Sequence, residues 1–509
     1  MGARYGAGLL NGMEQRRGWF VGYGPDYWPL REAALRRFEW GGAAVRPLEF
    51  HSGYLPNLSL CSASEAWQNT SMPLNRRQFL QKSALAVAAG SSLVACAGPK
   101  IRRISANSKL NLAIVGVAGR GGENLAGVKG ENIVALCDID SKRLAAASAQ
   151  FPGARTFSSF RHMLDRQDID AFVVSTPDHT HAVIAKAVME SGRPVYCEKP
   201  LTHTVSEIRI LAATAKKTGV VTQTGNQIHA TANYRRVVEL VQSGAIGNVR
   251  EVHHWAGSAW EQKPFPKGEP VPANIDYENW LGPVQPVPYS AEWVHFNWRR
   301  WWHFGGGTLS DFCCHHMDLG VWALRLGLPT EIESEGPPVD PHCAPLWLKV
   351  RYQFPARGAL PPVTMHWYSG EKRPEVAGTP DLSKWGGGTL FVGDKGLLLA
   401  DYGRHVLLPE DKFKDFQKPA PTLAASVGHH EEWIRACKGE NLALPQFAPL
   451  GRTNSPFAYG AILTEIGLLG TVAFRTGKRI EWDAARMVAK GVPEADRFIH
   501  HDYRAGWKL

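Results

Sequence analysis

"LNLAIVGVAGRGG", residues 110–122, is the stretch whose reading decides the fold. Its apolar run "NLAIVGVA" (111–118) reads as a strand, and a helical stretch over 121–129 follows. A run without alternation suits a parallel strand covered on both faces. Gly116, Gly119 and Gly121 fall at the strand-to-helix turn, where small residues let backbone and helix N-terminus meet a pyrophosphate. The usual spacing is G-x-G-x-x-G. Here Ala118 holds the middle position, followed by Gly119 and Arg120, and its methyl narrows the room for a phosphate.

The pattern repeats outward from this turn. "IVALCDID" (133–140), "AFVVST" (171–176), "PVYCEK" (194–199) and "VVTQTGN" (220–226) read as strands. "LAAASAQ", "HAVIAKAVMES" and "VSEIRILAATAKKTG" between them read as helices. Repeated βα units of this length imply a parallel sheet with helices on both faces. Asp138 ends the second strand, 22 residues after Gly116. A carboxylate there accepts hydrogen bonds from an adenosine ribose and repels a 2′-phosphate, which favours NAD over NADP.

The whole chain has 509 residues, 44% hydrophobic and 20% charged, enough for one large core or two ordinary ones. No apolar run approaches the roughly 20 residues of a membrane span. The net charge of +10 resides mostly in residues 1–108, with 13 Lys/Arg against 6 Asp/Glu, leaving 44 against 41 in the rest. A nucleic-acid partner is therefore not expected. Eight cysteines show no disulfide rhythm, which suits folding in a reducing compartment.

Residues 75–100, "NRRQFLQKSALAVAAGSSLVACAGPK", resemble a twin-arginine export signal, with Arg76-Arg77 followed by a mildly apolar segment. Leu93-Val94-Ala95-Cys96 resembles a lipobox, which implies membrane attachment only through a lipid at Cys96. We expect residues 72–108 to be signal and linker, starting at Met72, and residues 1–71 to be a non-native or disordered extension. The resemblance implies an exported protein, periplasmic or lipid-anchored. Twin-arginine machinery exports folded proteins, so a bound nucleotide would be loaded beforehand and held tightly.

"STPDHTHAVIAKAVMESGRPVYCEKPL" (175–201) resembles the stretch ending in Glu-Lys-Pro of the glucose–fructose oxidoreductase / inositol 2-dehydrogenase (Gfo/Idh/MocA) family. "QSGAIGNVREVH", "GGGTLSDFCCHHMDL" and "LTEIGLLGTVAFRTGKRIEWD" extend the likeness, in order, over roughly 110–485. The resemblance implies an α/β protein: a Rossmann domain over 109–228, then a C-terminal α/β domain over 229–509 with a large, mostly antiparallel open sheet. Substrate would lie between that sheet and the nicotinamide, and a homodimer or tetramer is implied.

By the same resemblance Lys199 is the active-site lysine, and Asp311 and His315 are the catalytic Asp and His. A cation at a strand end hydrogen-bonds a reacting hydroxyl and stabilises alkoxide character. Asp311, His315 and Asp318 share one helix face by their i, i+4, i+7 spacing. Thr176, Pro177, His181 and Glu198 are expected around the cofactor, and Asn226, Arg299, Trp301, Asp318 and His430 near substrate. Seven of the 18 tryptophans fall between 255 and 302, and one or two are expected to stack on a sugar. "CCHH" (313–316) is not read as a metal site, because adjacent helical residues point roughly 100° apart.

Three functions follow from these readings. The first is an NAD-dependent oxidoreductase of a sugar or glycoside ring hydroxyl, with recycled cofactor. The second is a glycoside hydrolase working by transient C3 oxidation and elimination, needing a further base such as Tyr289, His303 or His430. The third is a non-catalytic sugar-binding envelope protein. The start at Met72 has its own check: N-terminal sequencing of the natural product should find no residue upstream of Met72.

Overall fold

The computed structural model describes residues 105, 107–260 and 262–509. The extension, the twin-arginine segment and Cys96 lie outside the described residues.

The opening stretch forms β1 (Asn111–Val115), buried from Leu112 onward, and leads into α1 (Arg120–Val128). Then come β2 (Asn132–Cys137), α2 (Ser141–Gln150), β3 (Arg155–Phe157) and β4 (Ala171–Val174). They are followed by α3 (Asp178–Glu190), β5 (Val195–Glu198), α4 (Val205–Thr218) and β6 (Thr222–Gly225). Their parallel sheet has the order β3-β2-β1-β4-β5-β6. Strand order reverses between β1 and β4, and ligands of such sheets bind in the crevice beyond those strand ends.

Beyond α5 (Ala232–Gln242) and β7 (Val249–Ala256) the chain enters an aromatic-rich strap and returns as α6 (Gly307–Leu324). Strands β8 (Glu331–Glu335), β9 (Leu348–Phe354), β10 (Val363–Ser369), β11 (Gly387–Gly393), β12 (Gly396–Ala400) and β13 (His405–Leu408) follow. The chain closes with α7 (His429–Cys437), α8 (Phe457–Thr476), β14 (Ile480–Asp483) and β15 (Val488–Lys490). These strands form a nine-stranded sheet, β13-β12-β11-β7-β10-β9-β8-β14-β15. It is antiparallel except where β7 lies parallel to β10. Both β9 and β10 alternate buried and half-buried residues, as expected of a sheet with one face in the core.

The two sheets share helices. Phe457 and Ala461 of α8 complete the core of the first sheet, while Leu463, Ile466 and Leu469 fill that of the second. Trp433 and Ile434 of α7 also pack against the first sheet, on its other face. Contrary to the expectation that no apolar run approaches the length of a membrane span, helix α8 is long and apolar enough by composition; 89% of its apolar window is buried inside the protein, as in a core helix.

Glu465 in the middle of α8 is 2% exposed, and Arg209 of α4 holds it through Nε at 2.5 Å and Nη2 at 2.6 Å. Trp482 Nε1 donates to the same carboxylate at 3.2 Å. Removing the cation leaves a buried charge uncompensated. Arg209→Met should therefore cost about 3 kcal/mol. Adding Glu465→Leu should recover most of it, as read by urea unfolding of the two variants.

Candidate active site

Lys199 ends β5 and enters the turn through a cis Lys199–Pro200 peptide. Its Nζ donates to Asp311 Oδ1 at 2.8 Å, from the first sheet to the second turn of α6. Arg299 Nε donates to the same oxygen at 3.4 Å. Burial pushes the Lys199 ammonium down, but the Asp311 carboxylate outweighs it and holds the ammonium above its ordinary value. Burial raises Asp311, and Lys199 with Arg299 more than reverse this, leaving it below the usual carboxylate range. Both partners are therefore charged at neutral pH.

One turn on, His315 is 9% exposed, and its Nδ1 is buried without a hydrogen-bond partner. Burial first, then the Lys199 charge, keeps this imidazole well below its ordinary value, so it is neutral. A neutral imidazole beside a fixed ammonium can accept a proton while the ammonium stabilises negative charge. Asp178, in the first turn of α3, is a residue that sequence reasoning missed. It is 4% exposed, and burial raises its carboxyl well above the usual range, partly offset by Arg299. The only signal was its place in the Thr176–Pro177 loop.

Several expected residues lie elsewhere. Asp318 is fully buried beneath the site, with its oxygens taken by His229 Nδ1 at 2.9 Å and the Tyr459 hydroxyl at 2.5 Å. The helix face it shares with Asp311 runs inward, so it braces α6 instead of meeting substrate. Trp301 is 0% exposed inside an aromatic core with Trp280, Trp293, Trp298 and Phe304, so it cannot stack on a sugar. Of the seven clustered tryptophans, only Trp260 is partly exposed; it meets the Phe296 ring at 5.3 Å, and the Arg299 guanidinium lies 5.8 Å from its ring. Trp260 is thus the half-buried tryptophan nearest Arg299, which in turn meets Asp311.

His430 stacks on Tyr196 and its Nε2 lies 2.9 Å from Asn124 Oδ1 of α1, which places it behind the nucleotide turn. Tyr289 is buried against Tyr277, and His303 stacks on His342 with Phe265 tilted against both. Asn226 is 0% exposed and accepts from Ser455 Oγ. His181 has Nδ1 2.7 Å from Pro200 O and Nε2 2.7 Å from Thr176 O, so it staples two turns together and has no nitrogen left for cofactor. Glu198 is likewise occupied, accepting from Arg120 Nε at 3.0 Å and Asn124 Nδ2 at 2.8 Å. It fixes the first turn of α1 from below.

The crevice between β1 and β4 fits a dinucleotide. Gly116 has φ +86°, and a Cβ there would lie 2.7 Å from Ser175 O. A Cβ on Gly121 would lie 2.0 Å from Gly116 O, so only glycine lets α1 start this close to β1. Gly119 faces open space on the exposed side of the turn, beside half-buried Ala118. Asp138 is half-buried at the end of β2 and accepts from Val117 N and Asp140 N, both at 3.0 Å, which fixes its carboxylate at the crevice edge. Thr176 and Pro177 line the opposite turn, also half-buried.

The strap between β7 and α6 crosses to this same edge. Asn274 Nδ2 donates to Asp140 Oδ1 at 2.9 Å, and Ser141 N donates to Asn274 O at 2.9 Å. Asp276 N donates to Ile139 O at 2.8 Å, and His295 Nε2 lies 3.1 Å from Asp140 Oδ2. Sequence gave no hint of this contact, which joins residues well over a hundred positions apart. Within the "CCHH" run the Cys313 and Cys314 sulfurs lie 3.8 Å apart, Cys314 faces Thr464 of α8, and His316 Nε2 lies 3.0 Å from the Tyr402 hydroxyl. The described cysteines are all free thiols.

Residues 110–226 match the oxidoreductase family NAD-binding Rossmann fold, and 231–359 match the C-terminal alpha/beta domain of the same family. The chain belongs to the Gfo/Idh/MocA oxidoreductase family. Among family members, inositol 2-dehydrogenase 2 of Saccharopolyspora erythraea is 29% identical over 181 residues, 34% of this chain and 53% of that protein. Inositol 2-dehydrogenase 3 of the same organism is 39% identical over 127 residues, 25% of this chain and 37% of that protein. The chain thus covers about half the length, or less, of these relatives. The same fold occurs in GenD2 from gentamicin A biosynthesis, solved with NAD (19% identity, TM-score 0.50, 75% of this chain and 99% of that one). It also occurs in the WlbA dehydrogenase from Chromobacterium violaceum, solved with NADH and UDP-GlcNAcA (17% identity, TM-score 0.51, 76% and 98%).

The Lys199–Asp311 pair predicts a pH signature. Asp311, depressed in the fold, contributes stability above the ordinary carboxylate range that is lost as pH falls through its lowered value. Lys199, raised in the fold, contributes below its ordinary range and loses this as pH rises through the folded value. Asp311→Asn should cost about 3 kcal/mol at pH 7. It should also show a smaller further loss between pH 5 and 3 than the parent, measured by urea midpoints across pH.

Proposed function

We propose that this family member is an NAD-dependent oxidoreductase acting on a ring hydroxyl of a sugar or glycoside, with its nucleotide retained between turnovers. The observation that carries the reading is the charged Lys199–Asp311 pair with neutral, unpartnered His315 one turn away, at the C-terminal end of the first sheet. Asp138, Gly116, Gly119 and Gly121 would hold the nucleotide, and Asp138 favours NAD over NADP by charge. When bound, NAD supplies the hydride acceptor.

The chain's own groups divide the remaining work. Lys199 Nζ donates a hydrogen bond to the substrate oxygen and stabilises alkoxide character as the C–H bond breaks. His315, a neutral imidazole whose buried Nδ1 has no protein partner, accepts the hydroxyl proton on its ring. Asp311 keeps Lys199 protonated and, through Arg299, ties the site to the strap. Trp260 offers an aromatic face for the C–H side of a sugar ring. The strap contacts at Ile139, Asp140 and Ser141 lie next to the proposed ribose partner, Asp138, and would have to open before a nucleotide left. That supports retention, as does the resemblance of residues 75–100 to a twin-arginine export signal, since a protein exported folded would carry its cofactor with it.

Hydrolysis by elimination needs a further base beside the sugar. His430 is held by Asn124 behind the nucleotide turn, and the Tyr289 and His303 rings pack among other aromatic rings of the strap. Tyr402, whose phenol senses the Asp311 charge, is pushed up by burial and thus resists becoming phenolate. These observations favour the dehydrogenase reading.

Purified chain, denatured, should release close to one NAD or NADH per protein, identified by mass spectrometry. Lys199→Met and His315→Asn should each lower kcat by about 10²–10⁴-fold with that occupancy unchanged. Because His315 lies below its ordinary value, the parent kcat/KM should stay flat through pH 6.5 and fall only at lower pH. Full activity in both variants, or a chain that neither carries nor binds NAD, would overturn the proposal.

A further inference from the structure

The outer face of the second sheet carries a cluster that this chemistry does not use. His254 of β7 points inward, its Nε2 against Gly320 of α6, so Glu251 and His253 lie on the opposite face. The register sets His366 of β10 beside His253. Glu251 Oε1 lies 3.3 Å from His253 Nε2 and 3.0 Å from His366 Nε2. One ligand atom from each residue lies within 4.8 Å of the others.

His253 is 3% exposed, with Nδ1 held by the Tyr368 hydroxyl at 3.1 Å and Nε2 buried without a hydrogen bond. An imidazole oriented through one nitrogen, with the other left free toward a carboxylate, is the usual arrangement of a metal-binding histidine. Burial keeps both imidazoles below their ordinary values, so two neutral rings and one carboxylate oxygen converge. Arg351, opposite His366 on β9, is engaged by Glu331 and Glu333 and does not compensate Glu251 directly. The Tyr368 phenol also senses Glu375, which adds negative charge to this face.

The spacings suit a small cation. Bonds of about 2.0–2.1 Å in a tetrahedral shell place ligand atoms about 3.3 Å apart. The two rings now stack at 13° with centroids 4.8 Å apart, and the more exposed His366 can turn its Nε2 toward the shared point. Half-exposed Glu251 leaves the outward position to water.

We propose that Glu251, His253 and His366 bind one divalent transition-metal ion of the zinc class, with water as the fourth ligand and Tyr368 orienting His253. The site is independent of the nucleotide crevice and of the reaction proposed there.

The test is calorimetric titration of metal-stripped, full-length chain with Zn²⁺. One ion per chain is expected, weakened about 100-fold or more by His366→Ala and by Glu251→Gln. Tyr368→Phe should weaken it about tenfold, as loss of an outer-shell partner does. Unchanged circular dichroism and nucleotide content establish that the variants fold. X-ray absorption of the zinc-loaded parent, which needs no variant, should show only nitrogen and oxygen neighbours at about 2.0–2.1 Å. No binding, binding undiminished in both variants, or a sulfur shell at about 2.3 Å would overturn the proposal.

Discussion

A buried ammonium has to be matched, and in this protein its match comes from the other sheet. Lys199 ends a strand of the first sheet, and Asp311 opens a helix packed on the second. Neither charge is stable in so dry a place without its partner. An apolar pair of equal volume would hold the junction at least as well. A charged pair there is better explained by the work its cation can do than by stability.

The same dryness sets the state of the neighbouring groups. Burial holds the His315 and His429 imidazoles well below their ordinary values and raises the Asp178 carboxyl well above its own. The Lys199–Asp311 pair with Arg299 is charged, and a proton acceptor of low basicity stands one helical turn away. That separation lets a hydroxyl meet a donor and an acceptor in the same cleft. The strap adds to it, bringing Arg299 to Asp311 at one end and Asn274 and His295 to Asp140 at the other. Substrate and nucleotide ends of the crevice are thereby joined by one aromatic-packed segment.

The shared helices explain why the halves behave as one body. Helix α8 puts its first turn into one core and the rest into the other. Its central carboxylate, Glu465, is held by Arg209 from the first sheet's helix α4. Separating the sheets would expose that carboxylate and the Lys199–Asp311 pair together.

Much was legible in the sequence because it rests on local or periodic rules. "NLAIVGVA" had to be a doubly covered strand, and the glycines after it could serve only a close turn. The βα repeat implied a parallel sheet. What the tertiary structure decided was direction and company. The i, i+4, i+7 face from Asp311 to Asp318 dips into the core, because α6 is covered on nearly every side. Trp301 and Trp260 are the same residue type in one segment, yet one is sealed and the other is half-buried. His253 and His366 are 113 positions apart and meet only through a parallel strand pair. Sequence determines which faces a segment can have; only packing decides which face meets water, because burial belongs to the whole fold.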